Sequence, residues 1–268
     1  MHILKVRYFF IYFLWILFLP NIFFASKKLI FLDTHSALIK KESTKNPHII
    51  WLAIHENEFE ATRNVDWAFK KYGGKSFKIT NLYQKKERVL FGFLGFKKYL
   101  YDPNRIFTQE GKIKNLHYYN LFLTPQKKHF LKPALNQLKE VKKRFLKALH
   151  LSSSTTLIAL HNNLKRGKFS LYTYQRKKRL GFLVYKNPKM HPKNFILVTQ
   201  KKHFDALKQR KINVVLQPKP TAKTTDGSLG DYCTIQGYSY FNIETRFGSS
   251  AIQRHLVNEV FWVVQNIR

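Results

Sequence analysis

Four side chains in this sequence are of types that bind metal ions or transfer protons. His55 and Glu58 stand three residues apart, directly after an apolar run. His161 and Glu244 each follow a later apolar run. Imidazole nitrogens and carboxylate oxygens are suitable ligands for Zn²⁺, which takes three protein ligands and keeps one open position in catalytic sites. The spacing of His55 and Glu58 is weak evidence alone, because it is also typical of an ordinary loop before a helix.

The apolar runs strengthen the metal hypothesis. They have the composition of strands buried on both faces of a parallel sheet, and they cover residues 48–54, 155–160 and 238–243. Ligands bind to open α/β sheets outside the carboxyl ends of the strands, so side chains just past these runs are expected to meet. We therefore predict that His55, Glu58 and His161 form a site for one zinc ion per chain.

Glu244 is then left as a carboxylate near the metal. Such a group can take a proton from zinc-activated water and pass it to a leaving amine. The alternative is that Glu244 only pairs with a basic neighbour such as Arg246. Arg105 supplies a guanidinium that can grip a carboxylate through two hydrogen bonds, and the preceding Pro103 favours a turn that presents it at a loop.

The rest of the sequence predicts the elements of an α/β domain. Helices are predicted where the apolar spacing is helical, at residues 61–72, 132–150, 202–209 and 250–267. Further strands are predicted at residues 77–82, 88–93, 182–185, 194–199 and 213–217, with a loop at 226–230 and a connector up to Asn46. We predict a single three-layer αβα domain over residues 45–268, with a mixed, largely parallel central sheet.

Residues 1–26 have the pattern of a secretory leader. Lys5 and Arg7 precede a long apolar run, and Ala25 and Ser26 are small residues near its end. Phe23 and Phe24 stand where a cleavage site favours small residues, so a signal peptide and an uncleaved N-terminal membrane anchor are both open, as is a buried helix. The sequence therefore predicts an exported protein, periplasmic or secreted.

The charge and cysteine content narrow the expected partners. A formal net charge of +33 predicts attraction to anionic polymers or surfaces. The basic residues are spread along the chain and form no recognised nucleic-acid motif, so anionic cell-envelope polymers or lipid headgroups are favoured and nucleic acid is disfavoured. A solvated basic surface without a partner is also open. Cys233 stands alone, which excludes an internal disulfide and a thiolate-rich metal site.

Four motifs occur in a fixed order over about residues 45–255. They are the pair His55 and Glu58, the pair Asn104 and Arg105, the strand-end His161, and the late Glu244. In this order they resemble the zinc carboxypeptidase superfamily, including its succinylglutamate desuccinylase/aspartoacylase branch. The resemblance implies a zinc carboxypeptidase-like fold.

The same resemblance implies roles for individual residues. It assigns zinc binding to His55, Glu58 and His161, as the donor types also suggest. It assigns the substrate carboxylate to Asn104 and Arg105, and the general base and acid to Glu244. The family often has another arginine for the oxyanion and, in the peptidases, a mobile tyrosine over the substrate. The candidates for these two roles are Arg88, Tyr238 and Tyr240.

Two functions of different classes follow. The leading hypothesis is an exported zinc hydrolase, of the metallocarboxypeptidase or amidase type, that cleaves an amide bond next to a free carboxylate. Its substrate is a peptide, such as a cell-wall peptide, or an N-acyl amino acid. The alternative is a non-catalytic envelope-binding protein that holds anionic polymer on its basic surface, although such a protein has no need of Glu244.

Overall fold

A nine-stranded mixed sheet organises the residues that the computed structural model describes, which are 26–83, 87–120, 128–163 and 167–267. The strands are β1 (Lys28–Phe31), β2 (Ser36–Glu42), β3 (Ile49–Ala53), β4 (Lys75–Asn81), β5 (Leu90–Leu94), β6 (Lys97–Tyr101), β7 (Thr156–Asn163), β8 (Leu183–Tyr185), β9 (Phe195–Val198), β10 (Val214–Leu216) and β11 (Ser239–Arg246). The sheet order is β1-β2-β4-β3-β7-β11-β9-β10-β8, and β5 pairs with β6 in a separate hairpin.

The centre of the sheet is parallel and its edges are antiparallel. Strands β4, β3, β7 and β11 run parallel to one another, whereas β2 pairs antiparallel with β4 and β9 antiparallel with β11. Every residue of β3 and β7 is buried, as expected for continuous apolar runs in the middle of a covered sheet. The register of β7 and β11 places Glu244 directly beside His161.

Helices cover both faces of this sheet. They are α1 (Phe59–Tyr72), α2 (Gln109–Tyr119), α3 (Lys128–Leu149), α4 (Leu171–Gln175), α5 (Lys201–Gln209), α6 (Leu229–Gln236) and α7 (Ser250–Asn266). Buried side chains of α1, α5 and α7 pack in one hydrophobic cluster, and those of α2, α3, α4 and α6 pack in a second. Alternate residues of β3 enter the two clusters, so the sheet lies between two helical layers.

Two features define the C-terminal end of α1, the helix that follows β3. Trp51 is fully buried in β3, and its Nε1 donates a hydrogen bond of 2.9 Å to the carbonyl of Gly73. Gly73 ends the helix with a φ of +77°, a conformation that residues with a Cβ rarely adopt. The helix is therefore anchored at its far end, and its first turn is held close to the end of β3.

The predicted fold class is confirmed: the described chain forms three αβα layers around a mixed sheet that is parallel at its centre. Residues 28–42, which the sequence analysis treats as a connector, instead form β1 and β2 and extend the sheet by antiparallel pairing. The loop expected at 226–230 ends at Ser228, where α6 begins. Ser228 caps that helix, because its hydroxyl accepts a hydrogen bond from the backbone of Asp231.

Strands β7 and β11 continue beyond their predicted ends. Their parallel ladder runs as far as Asn163 and Arg246, so His161 and Glu244 lie within strands and not just after them. The apolar pattern stops at these positions because the side chains line a polar site, while the backbone pairing goes on. The predicted leader at residues 1–26 falls outside the described residues except for Ser26. No helix in the described part of the chain is long and apolar enough to span a membrane.

A loop from Thr225 to Ser228 is held against the turn that contains Arg105. The backbone N–H of Phe107 donates to the carbonyl of Gly227 at 2.9 Å. A Cβ on Gly111 would come within 2.1 Å of the Gly227 Cα, so the two backbones touch where only glycine fits. This close approach fixes the loop relative to α2 and to the turn at residues 103–105.

Candidate metal centre

Three predicted ligands converge at the carboxyl end of the parallel strands. His55 comes two residues after β3, Glu58 is the residue before α1, and His161 lies in β7, the neighbour of β3. Each offers one donor atom, and these atoms all lie within 4.8 Å of one another. All three side chains are buried. The parallel pairing of β3 and β7 is what brings residues 106 positions apart into one cluster.

The carboxylate of Glu58 lies between the two imidazoles. Its Oε1 is 3.0 Å from Nδ1 of His55, and its Oε2 is 3.1 Å from Nδ1 of His161. Burial alone would raise the pKa of Glu58, but the two histidines outweigh burial and hold that pKa well below its ordinary value. Glu58 is therefore an anion over the whole physiological pH range.

Asp102 contacts the opposite side of the His55 ring. Its Oδ1 is 2.9 Å from Nε2 of His55. Asp102 directly precedes the turn at residues 103–105, and its backbone is fixed by two hydrogen bonds of 2.9 Å with the side chain of Asn115 in α2. The sequence analysis missed this role, and the sequence offers one signal for it: a carboxylate adjacent to the Asn104 and Arg105 motif.

His55 lies between two carboxylates, and its hydrogen-bonding capacity shows whether a metal ion fits this cluster. A neutral imidazole carries one N–H, so it can donate to Glu58 or to Asp102 but not to both. Burial opposes a positive charge on His55, whereas Asp102 and Glu58 favour it and raise the pKa of the ring. A cation is therefore required here: either His55 is protonated, or Nδ1 faces a metal ion while Nε2–H donates to Asp102.

The cluster thus fits a divalent metal ion. Two imidazoles and one ionised carboxylate form the donor set of a catalytic zinc site, and a carboxylate that accepts from a ligand histidine orients that ligand. Arg88 adds a further contact: its Nη1 donates to Glu58 at 2.9 Å, and its Nε lies 3.4 Å from Asp102. Arg88 therefore braces the two carboxylates from outside.

Glu244 is a second carboxylate buried beside the cluster. It is 8% exposed, and it accepts one hydrogen bond of 3.2 Å from the side chain of Asn242. Among the described residues it forms no salt bridge, so the structure does not pair it with Arg246 or another basic side chain. Burial is the largest influence on Glu244 and raises its pKa, Glu58 adds to this, and His161 opposes it.

A cavity of about 360 Å³ opens next to these groups. Its lining includes Glu58, His161 and Glu244 together with the predicted substrate residues Arg88, Asn104, Arg105 and Tyr240. Two of the three predicted metal ligands, the candidate proton acceptor and the candidate carboxylate-binding residues therefore face one space, while His55 lies outside this lining. A substrate must enter this cavity to contact all of these groups.

Arg105 and Asn104 are held differently within this cavity. Nη1 of Arg105 lies 2.8 Å from Oδ2 of Asp226, in the loop that Gly227 fixes. The carboxamide of Asn104 is buried, and its Oδ1 accepts a hydrogen bond of 3.0 Å from the backbone of Leu229. Asn104 thus supports the start of α6, while Arg105 keeps donors directed at the cavity.

The two tyrosine candidates have little freedom to move. Tyr240 lines the cavity but is only 2% exposed, and burial raises its pKa well above the ordinary value. Among the described residues, Tyr238 does not line that cavity, and the centre of its ring lies 6.3 Å from the centre of the Tyr232 ring. Neither is placed as a mobile ring over the substrate.

No family model and no curated protein sequence matches this chain. Similar solved structures include a bacteriophage poly-gamma-glutamate hydrolase, with 10% identity, a TM-score of 0.39, and coverage of 87% of this chain and 91% of that one. A candidate succinylglutamate desuccinylase/aspartoacylase from Shewanella frigidimarina shows 12% identity, a TM-score of 0.45, and coverage of 91% and 72%. A tripeptide-bound cell shape determinant protein from Helicobacter pylori shows 15% identity, a TM-score of 0.43, and coverage of 86% and 55%.

The second of these descriptions names the branch that the sequence motifs resemble. At these TM-scores the similarities carry no argument about activity. The function is therefore inferred from the geometry of the metal centre.

We expect about one zinc ion per purified chain, and we expect the double variant His55→Ala, His161→Ala to lose most of it, because two of the three donors are gone. Elemental analysis measures the ratio. The matched control removes two exposed histidines, His48→Ala and His150→Ala, and should keep its zinc. Circular dichroism must show that the first variant is folded, since loss of a metal ligand can loosen a fold. Undiminished zinc in a folded double variant would contradict the site.

We expect Asp102→Asn to weaken zinc binding by about 10- to 100-fold, because the amide cannot replace the carboxylate that orients His55. Competition with a chelator of known affinity measures this change. The control is Asp226→Asn, which removes a carboxylate that does not touch His55 and should leave zinc affinity unchanged. Equal affinities in the parent and in Asp102→Asn would show that Asp102 has no orienting role.

Proposed function

We propose that this chain is a zinc-dependent hydrolase that cleaves an amide bond next to a free carboxylate, in a peptide or an N-acyl amino acid. The observation that carries this proposal is the convergence of His55, Glu58 and His161 beside Glu244, a buried carboxylate that forms no salt bridge with the described residues. A purely structural cluster has no need of that second carboxylate. When bound, zinc supplies a Lewis acid that polarises a carbonyl and lowers the pKa of water.

Glu244 performs the proton transfers in this proposal. Its raised pKa brings it closer to the pH at which a general base works, so it can accept a proton from the attacking water and later release it. The leaving nitrogen of the amide receives that proton. The hydrogen bond from Asn242 keeps one oxygen of Glu244 in place, so the other oxygen remains for the proton.

Arg105 selects the substrate in this proposal. Its guanidinium has one carboxylate contact, to Asp226, and the described residues offer it no second one. Its remaining N–H groups can therefore grip a substrate carboxylate. Arg88 already binds Glu58 and Asp102, so we assign it to holding the metal ligands in place rather than to a dedicated oxyanion role.

The cellular setting is part of the same proposal. The leader predicted over residues 1–26 would export the chain to the periplasm or the medium, or anchor it to a membrane, and the domain at 45–268 would act there. A peptide of the cell wall is then the accessible substrate, and it carries free carboxylates. The competing proposal, a non-catalytic envelope-binding protein, is tested by the turnover experiments that follow.

We expect Glu244→Gln to retain zinc and bind substrate while its kcat falls by about 10²- to 10⁴-fold, because glutamine keeps the shape but cannot take a proton. The kcat and the melting temperature should be measured on one preparation, over a panel of carboxylate-bearing amides. If the variant lost stability but kept its activity per folded molecule, Glu244 would be a structural residue.

We expect Arg105→Lys to lower kcat/KM by about tenfold or more on substrates with a free carboxylate, because lysine cannot reproduce a two-pronged grip. The measurement compares each free-acid substrate with its amidated form. Arg179→Lys, at an exposed arginine, is the matched control and should behave as the parent. A parent enzyme that turned over both forms equally well would remove this role from Arg105.

A further inference from the structure

A second cavity, of about 470 Å³, lies between three segments away from the metal centre. The segments are the connection before β9 (187–194), the turn before β10 (210–212), and the end of β11 with the start of α7 (246–255). Its lining includes Lys189, Arg210, Lys211 and Arg246 and, among the described residues, no Asp or Glu.

This charge pattern is local to the cavity. The chain as a whole is basic, with a formal net charge of +33. The cavity at the metal centre nevertheless contains four carboxylates in its lining, Glu58, Asp226, Asp231 and Glu244. A third hollow, next to α1, includes Glu56. A lining with several cations and no carboxylate is therefore a property of the second cavity and not of every concave surface on this chain.

Among the described residues, only Arg210 of these four cations has a counterion. Arg210 pairs with Glu259 and stacks 4.1 Å from the ring of Trp262. Within the described part of the chain, the charged groups of Lys189, Lys211 and Arg246 form no salt bridge. These three side chains are exposed, so solvent screens part of their mutual repulsion, but like charges around one hollow still have an electrostatic cost. A bound anion would remove this cost.

The backbone that carries these cations is fixed by asparagine side chains. Asn187 accepts a hydrogen bond of 2.9 Å from the backbone of Lys189 and donates one of 2.6 Å to the carbonyl of Lys211. Asn194 accepts one of 2.9 Å from the backbone of Arg246. The three segments are thus tied together before any ligand arrives, which lowers the entropy cost of binding.

Two histidines, His191 and His255, also line this cavity. The pKa of His191 is lowered, first by burial and then by the positive charges of Arg246 and Lys193. The positive charges of Arg246 and Lys193 therefore lie near this ring.

We propose that this cavity is a binding site for a phosphate-bearing group with at least two negative charges. A single carboxylate would neutralise one of three unpaired cations, whereas a phosphate group brings up to two charges and three acceptor oxygens. The guanidinium of Arg246 can bind two of these oxygens side by side, and Lys189 and Lys211 supply point charges. This inference is independent of the proposed hydrolase activity.

The test compares a triple variant, Lys189→Ala, Lys211→Ala and Arg246→Ala, with the parent full chain. Calorimetric titration with inorganic pyrophosphate measures binding of a soluble phosphate group, and sedimentation with vesicles of phosphatidylglycerol in phosphatidylcholine measures binding of a lipid phosphate. We expect the triple variant to lose about tenfold or more in affinity for one of these probes, because charge-assisted hydrogen bonds are lost. The probe whose affinity falls shows whether the cavity binds a soluble phosphate group or a lipid phosphate.

The control removes the same charge elsewhere, through Lys132→Ala, Lys139→Ala and Lys143→Ala on the exposed side of α3. Helix α3 packs on the opposite face of the sheet from α7. Equal weakening in this control would overturn the proposal, since it would show a general charge effect. Equal affinity for succinate and pyrophosphate, or no binding of either phosphate probe by the parent, would also overturn it. Unchanged melting temperatures establish that both variants are folded.

Discussion

The buried carboxylate of Glu58 is the constraint around which the centre of this protein is arranged. An isolated carboxylate in an apolar interior is too costly to persist as an anion. Here two imidazoles, a guanidinium and the backbone N–H of Asn162, which donates at 3.0 Å, compensate its charge. These groups come from three segments: His55 follows β3, His161 and Asn162 belong to β7, and Arg88 precedes β5. Removing any one of them leaves a charge unpaired, so the strands and loops that supply these groups depend on one another.

A second carboxylate at the same end of the sheet has its pKa shifted in the opposite direction. Glu244 stands directly beside His161 in the register of β7 and β11, but burial dominates its surroundings and raises its pKa. Two carboxylates whose environments move their pKa values apart are typical of sites in which one binds and the other transfers protons. Glu58 and Glu244 thus differ in the groups that surround their carboxylates and not in residue type.

The distribution of charge separates the two cavities in a comparable way. At the metal centre, cations and carboxylates are paired across short distances, as in Arg105 with Asp226. In the second cavity the cations outnumber their partners, because the segments around it contribute no carboxylate to the described lining. The large positive charge of the chain is therefore distributed unevenly between the two cavities. We therefore propose a substrate with a free carboxylate for the first cavity and a multiply charged anion for the second.

Much of the fold could be predicted because buried segments have a recognisable apolar pattern in the amino-acid sequence. The continuous apolar runs of β3, β7 and β11 and the helical spacing of α3 reflect packing that every residue in those segments shares. The order of the histidines and glutamates relative to these runs also placed them at one edge of a parallel sheet. The strands β1 and β2 were not predicted, since these outer strands carry a weaker pattern: β1 has no buried residue, and only the first three residues of β2 are buried.

The α/β class, the central strands and the residue types able to bind zinc follow from the amino-acid sequence alone, because they depend on local periodicity and on donor chemistry. The folded chain adds the contact of Asp102 with the far nitrogen of His55, the contact of Arg88 with Glu58, and the set of cations that line the second cavity. These contacts join segments that are far apart in the chain. Their geometry depends on strand register and on loop packing such as that of Gly111 against Gly227, which no local pattern encodes.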